Sequence, residues 1–145
     1  MRPKIHACLA GLLALVLLLA PVLPAALAAE ESAKVHIRTA EDWERLARSC
    51  VLDTWSQGKT VVLENDLDLS GGSVIPTFGG VFDGGGHTIS GLALTEEGSH
   101  QGLFRYVQEG AVIRHLNVAG RVDPGGEWEA LGGVAGVNRG TITGC

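Results

Sequence analysis

Gly132-Gly-Val-Ala-Gly-Val-Asn-Arg-Gly-Thr-Ile-Thr-Gly-Cys145 is the stretch whose reading decides the fold. Small and apolar residues alternate in it, Asn138-Arg139-Gly140 marks a turn, and Thr141-Ile142 opens a second strand. The same outline occurs twice upstream, in residues 80–94 and 102–118. Aligned on an isoleucine, the copies read Ile89-x-x-Leu92, Ile113-x-x-Leu116 and Ile142-x-x-Cys145. Each isoleucine follows an earlier apolar residue, namely Phe82, Phe104 and Val134, across a glycine-containing turn. A period in the twenties with short strands in each unit suits one rung of a β-solenoid. A single rung cannot bury its own apolar face. Stacking at ~4.8 Å puts Ile on Ile and Phe on Phe in continuous interior ladders.

Stacked rungs set further expectations. The glycines and Asn138 take corners, where a positive φ is often needed. Residues 96–101 and 123–129 bulge outward as loops. With few aromatic residues in the chain, the interior is expected to accept mostly medium aliphatic side chains. Cys145 is expected at an interior ladder position, and Cys50 as a second small buried apolar residue rather than its disulfide partner. The strand begun at Thr141 runs on without a capping element. The chain is therefore expected either to be truncated there or to pair its C-terminal edge with another chain, an edge-to-edge self-association.

Ahead of the repeat, Val61-Val-Leu63 is apolar, and Leu67 and Leu69 alternate with Asp66 and Asp68. Val35-His-Ile37 predicts a short strand. Thr39-Ala-Glu-Asp42 has the form of a capping box, and Trp43, Leu46, Ala47 and Cys50 follow at i, i+3, i+4, i+7. One amphipathic helix in this place can cover the open first edge of the stack. Residues 29–60 thus form an N-terminal strand and capping helix, and residues 61–145 form parallel β-helix rungs.

Residues 1–28 read as a signal peptide. Arg2 and Lys4 precede an apolar run from Ala7 to Ala20, Pro21 and Pro24 end it, and Ala26-Leu27-Ala28 supplies the small-x-small cleavage pattern. The run is short of the ~20 residues a spanning helix needs, so no stable membrane span is expected after cleavage. The protein is expected to be secreted or held at the cell surface. The chain carries 11 basic and 16 acidic residues, a net charge of −5, and loss of Arg2 and Lys4 deepens that acidity. An acidic chain without clustered Lys and Arg argues against nucleic acid and against anionic membrane surfaces.

Residues 131–145 resemble the GLUG motif, a short bacterial repeat of the form Gly-Gly-Leu-Val-Gly-x-Asn-x-Gly-x-Ile-x-Asn-Cys. Leu63-Glu-Asn-Asp-Leu-Asp-Leu69, the stretch from Phe78 to Leu92, and Gly102-Leu-Phe104 resemble the segments that precede such repeats. Ala135 stands where the motif has valine, and Gly144 where it has asparagine. The resemblance spans roughly residues 35–145. It implies a right-handed parallel β-helix, similar in shape to pectate lyases, in secreted or surface proteins of bacteria. It implies no single activity.

Candidate chemistry is sparse. Asp83-Gly-Gly-Gly-His87 places an acid and an imidazole across a glycine run, which would suit an acid/base pair or half of a metal site. The preferred reading makes both corner residues, with Asp83 accepting from nearby backbone N–H groups. Asp66-x-Asp68-x-Ser70-Gly71 opens like a calcium loop, but Thr77 occupies the twelfth position where a bidentate glutamate belongs. No cofactor is expected, calcium at Asp66 and Asp68 being the lesser reading. Trp128 could stack on a sugar ring from a loop, or pack on its own scaffold. Arg105, Arg114 and Arg121 are available as bases, with nothing in the sequence to bring them together.

The chain is therefore read as a non-catalytic secreted or cell-surface β-helical module for adhesion, carbohydrate or protein binding, or spacing. Its expected partners are an extracellular glycan or a surface protein. The alternative is the N-terminal part of a polysaccharide lyase or hydrolase, or of a larger surface peptidase, with the catalytic part beyond residue 145.

Overall fold

The computed structural model describes residues 34–127 and 129–145. Residues 1–28, read above as a signal peptide, and Trp128 lie outside the described residues. Strand β1 (Lys34–Ile37) leads into helix α1 (Ala40–Ser49), and every later element is a strand. These are β2 (Thr60–Leu63), β3 (Leu67–Asp68), β4 (Ile75–Phe78), β5 (Val81–Asp83), β6 (Thr88–Leu94), β7 (Phe104–Val107), β8 (Val112–Arg114), β9 (Asn117–Val122), β10 (Ala135–Asn138) and β11 (Thr141–Thr143). All pairings between them are parallel. Three sheets result: a first face ordered β1-β2-β5-β8-β11, a second ordered β3-β6-β9, and a third ordered β10-β7-β4. The chain therefore visits the three faces in turn on each rung, as a mainly β solenoid of about four turns. No helix among the described residues is long and apolar enough to cross a membrane.

Helix α1 forms as its local sequence dictates. Thr39 is extended (φ −135°, ψ 161°) and accepts from the Asp42 N–H, while the Asp42 carboxylate accepts from the backbone N–H groups of Arg38 and Thr39. Trp43, Leu46, Ala47 and Cys50 are buried, so the 3.6-residue stripe faces inward as expected. The helix follows β1 where the other rungs place a second-face and a third-face strand, and it packs on β1 and β4. It closes the interior from that end. The first face itself is extended by β1.

The ladders depart from the expected register. On the first face Val35, Val61, Phe82, Ile113 and Ile142 stack in one column. Ile113 does sit beside Ile142, but Ile89 belongs to the second face, between Leu67 and Val118. Phe104 stands between Ile75 and Ala135 on the third face, not over Phe82. The isoleucine alignment slipped by one face in its first copy, because each corner carries small residues and each face an apolar one. The interior is also more aromatic than expected. Trp43, Phe78, Phe82 and Phe104 are fully buried and meet edge-to-face, with centroids 5.3–6.1 Å apart. They gather next to the helix, where the space between the three faces must be filled by bulk.

The two inserted loops do leave the stack, yet they continue its pairing. Gln101 bridges to Leu131 in parallel and is buried. The Gln101 N–H donates to Ala130 O, and the Gly132 N–H donates back to Gln101 O. Cys50 and Cys145 are both unpaired. Cys50 is buried, and burial pushes its thiol up to about 11 despite the Ser56 hydroxyl and Lys59 nearby. Cys145 is exposed rather than in a ladder, because the chain turns out of the face at Gly144 (φ +61°).

Candidate functional site

Asp66 and Asp83 line the corner between the first and second faces, Asp68 ends the second-face strand β3, and each meets a neighbouring rung or its own turn. The glycine run after Asp83 makes that corner. Gly84 lies so close to the next rung that a Cβ would stand 2.5 Å from His115 O, and Gly85 and Gly86 both adopt positive φ. The tight corner aims Asp83 outward at β8. Its carboxylate accepts from the Gly85 N–H (3.1 Å), from Arg114 Nε (2.9 Å) and Nη2 (2.8 Å), and contacts His115 Nδ1 (3.3 Å). Asp83 and His87 are thus not a pair. His87 turns to Asp66 (3.1 Å), which also accepts from the Thr88 N–H (2.9 Å). One rung earlier, Glu64 is shared by His36 and Arg38. Asp68 folds back on Ser70, accepting from its N–H (2.9 Å) and hydroxyl (2.6 Å).

These contacts set the charge states. Burial pushes Asp83 upward, but the Gly85 N–H, His115 and Arg114 outweigh it and leave the carboxyl below its ordinary value. Asp66 is lowered by the Thr88 N–H and then His87, Glu64 by Arg38 and then His36, and Asp68 by the Ser70 hydroxyl and N–H. Acids held ionised in this way are poor proton donors near neutrality. No three or more His, Cys, Asp or Glu side chains among the described residues group as a metal would need. Asp66 and Asp68 each serve their own turn or neighbour.

The basic residues are distributed, not assembled. The structure does bring Arg114 to Asp83, a partner that sequence reasoning did not supply, because the two lie 31 residues apart and meet only through the β5–β8 register. Arg121 pairs with Asp123. Arg105 goes elsewhere. It lies on the third face beside buried Phe104 and lines a cleft of about 480 Å³ between the second and third faces, with Ser73, Ala93, Thr95, Glu96 and Gln101. Its Nε is shut off from water and has no hydrogen-bond partner among the described residues. Leaving such a donor unmet costs about 1–3 kcal/mol. Nearby on the same strand Tyr106 is 43% exposed and its ring lies 5.2 Å from that of His100, a residue held at φ +62°. A strand position beside Phe104 was the only sequence signal for Tyr106, and Arg105 stood among the available bases with nothing to place it in a cleft.

Comparison with protein families, with curated proteins and with solved structures finds no match to this chain.

Proposed function

We propose that this chain is a non-catalytic secreted or cell-surface binding module, of the kind its GLUG-like stretch resembles, with extracellular glycan or surface protein as partner. One observation carries the reading: Asp66, Asp68 and Asp83, the acids that chemistry would have used, are each engaged by groups of a neighbouring rung or of their own turn. They hold one rung to the next or shape a turn. What remains for function is surface: the open faces, exposed Tyr106, and the cleft beside Arg105. Screening the chain on a glycan array and against surface proteins, together with an assay for cleavage of acidic polysaccharides, tests the reading. Binding without turnover is expected. Turnover by the chain alone would sink it.

A second reading, the N-terminal part of a polysaccharide lyase or hydrolase or of a surface peptidase, is favoured by the meeting of Asp83, Arg114 and His115 on one corner. In that case Asp83→Asn would abolish turnover in a longer chain.

A further inference from the structure

The geometry points to the cleft between the second and third faces as a binding site for a small hydroxylated carboxylate, held by the guanidinium of Arg105. The assignment deepens the binding reading above and rests on it. The ion pairs among the described residues engage Arg38, Arg45, Arg114 and Arg121, and Arg105 is in none of them. An arginine guanidinium stays charged, and this one is half-buried with its Nε enclosed and unpartnered among the described residues. Its planar fork presents two parallel N–H groups at the spacing of a carboxylate's two oxygens. The cleft has the size of a small-ligand site. Thr95 and Gln101 in its wall can exchange hydrogen bonds with ligand hydroxyls.

The same cleft selects against other anions. Glu96 lines it and lies in none of the ion pairs among the described residues, so the site offers one positive and one negative charge. Glu96 repels a monoanion less than it repels a dianion such as phosphate, which is therefore disfavoured at the rim. A neutral sugar leaves the guanidinium unmet. The carboxylate must displace the packing that encloses Nε, so affinity is expected to be modest.

Titration of the ¹⁵N-labelled full chain, followed through the Arg105 Nε–Hε signal and the amides of residues 93–101, tests this directly. Glucuronate is expected to shift these signals saturably and glucose to leave them in place, with phosphate binding more weakly than glucuronate. Arg105→Lys, which keeps the charge and loses the fork, should weaken glucuronate by about tenfold. Glu96→Gln should tighten it by roughly threefold at low salt. The proposal is overturned by an unresponsive Nε–Hε signal, by an equal response to glucose, by tighter binding of phosphate, or by unchanged affinity in Arg105→Lys. It is also overturned if Glu96→Gln moves the Nε–Hε signal without ligand and fails to tighten binding, since Glu96 would then be the partner in solution. Should Arg105→Lys not fold, the wild-type Nε–Hε response and the Glu96→Gln variant decide between the outcomes. Turnover alongside binding at Arg105 would remove the non-catalytic reading and leave the cleft. Glycan or protein capture indifferent to Arg105→Lys would do the reverse.

Discussion

Trp43 shows what a single residue does in this fold. It opens a buried stripe that the helical period makes plain, yet its ring neighbours, Phe82 and Phe104, come from rungs 39 and 61 residues away. Its indole Nε1 donates to Ser73 O (2.8 Å), so the ring both fills the end of the interior and ties the helix to the turn before β4. Trp43→Ala should cost about 3–5 kcal/mol, combining a lost aromatic volume with an unmet carbonyl. Urea unfolding would read it as a lower midpoint, and a loss below about 1 kcal/mol would show that the helix does not close the core. The helical period marked Trp43 as buried, but it could not name its neighbours. Asp83 shows the same limit from the polar side. Its bond to the Gly85 N–H was legible from the corner glycines, whereas Arg114 and His115 were not, because only the parallel register delivers them.

Among elements, helix and strands differ in how much of them is local. The capping box and apolar stripe of α1 are decided within a dozen residues, and the helix forms where they place it. A strand here is a few residues whose partner depends on how many residues each corner consumes. Gly84, Gly85 and Gly86 take the chain round one corner in the third rung, while His115 and Leu116 do so in the fourth, His115 accepting φ +51°. That unequal turn is why an alignment on isoleucine moved Ile89 onto the wrong face. The contact across the same corner also gives β5 and β8 a pH-dependent bond. Asp83 in the folded chain titrates below its ordinary 3.8, so its stabilisation is complete above that value and disappears as pH falls through the lower folded value. Asp83→Asn should therefore cost about 1 kcal/mol at pH 7, discounted for the partial exposure of the pair, and progressively less as pH falls through the folded value. Urea midpoints of the two proteins should converge in acid. Parallel pH curves would mean the Asp83–Arg114 pair contributes no differential stability.

At the scale of the molecule, burial is graded along the stack, and local stability should be graded with it. Val61, Phe82, Ile113, Ile75 and Phe104 are fully buried in the middle rungs, while Val118, Val122, Val134, Ala135 and Ile142 are only partly covered. Strands β5, β6, β7 and β8 hydrogen-bond on both sides, whereas β9, β10 and β11 each pair with one described strand. In a solenoid each rung is stabilised chiefly by its neighbours, so a rung with one neighbour opens at lower free energy than one with two. Helix α1 supplies that second neighbour to β4 at the opposite end. Hydrogen exchange should accordingly be slowest in β5 and β8 and in α1's inward turn, and about a hundredfold faster in β10 and β11. Faster exchange confined to the β9–β11 end, slowing as protein concentration rises, would mark that end as a surface where copies of the chain pair. Equal protection in β5 and β11 at every concentration would contradict the gradient and require that the last rung be held by contacts beyond those of its strands.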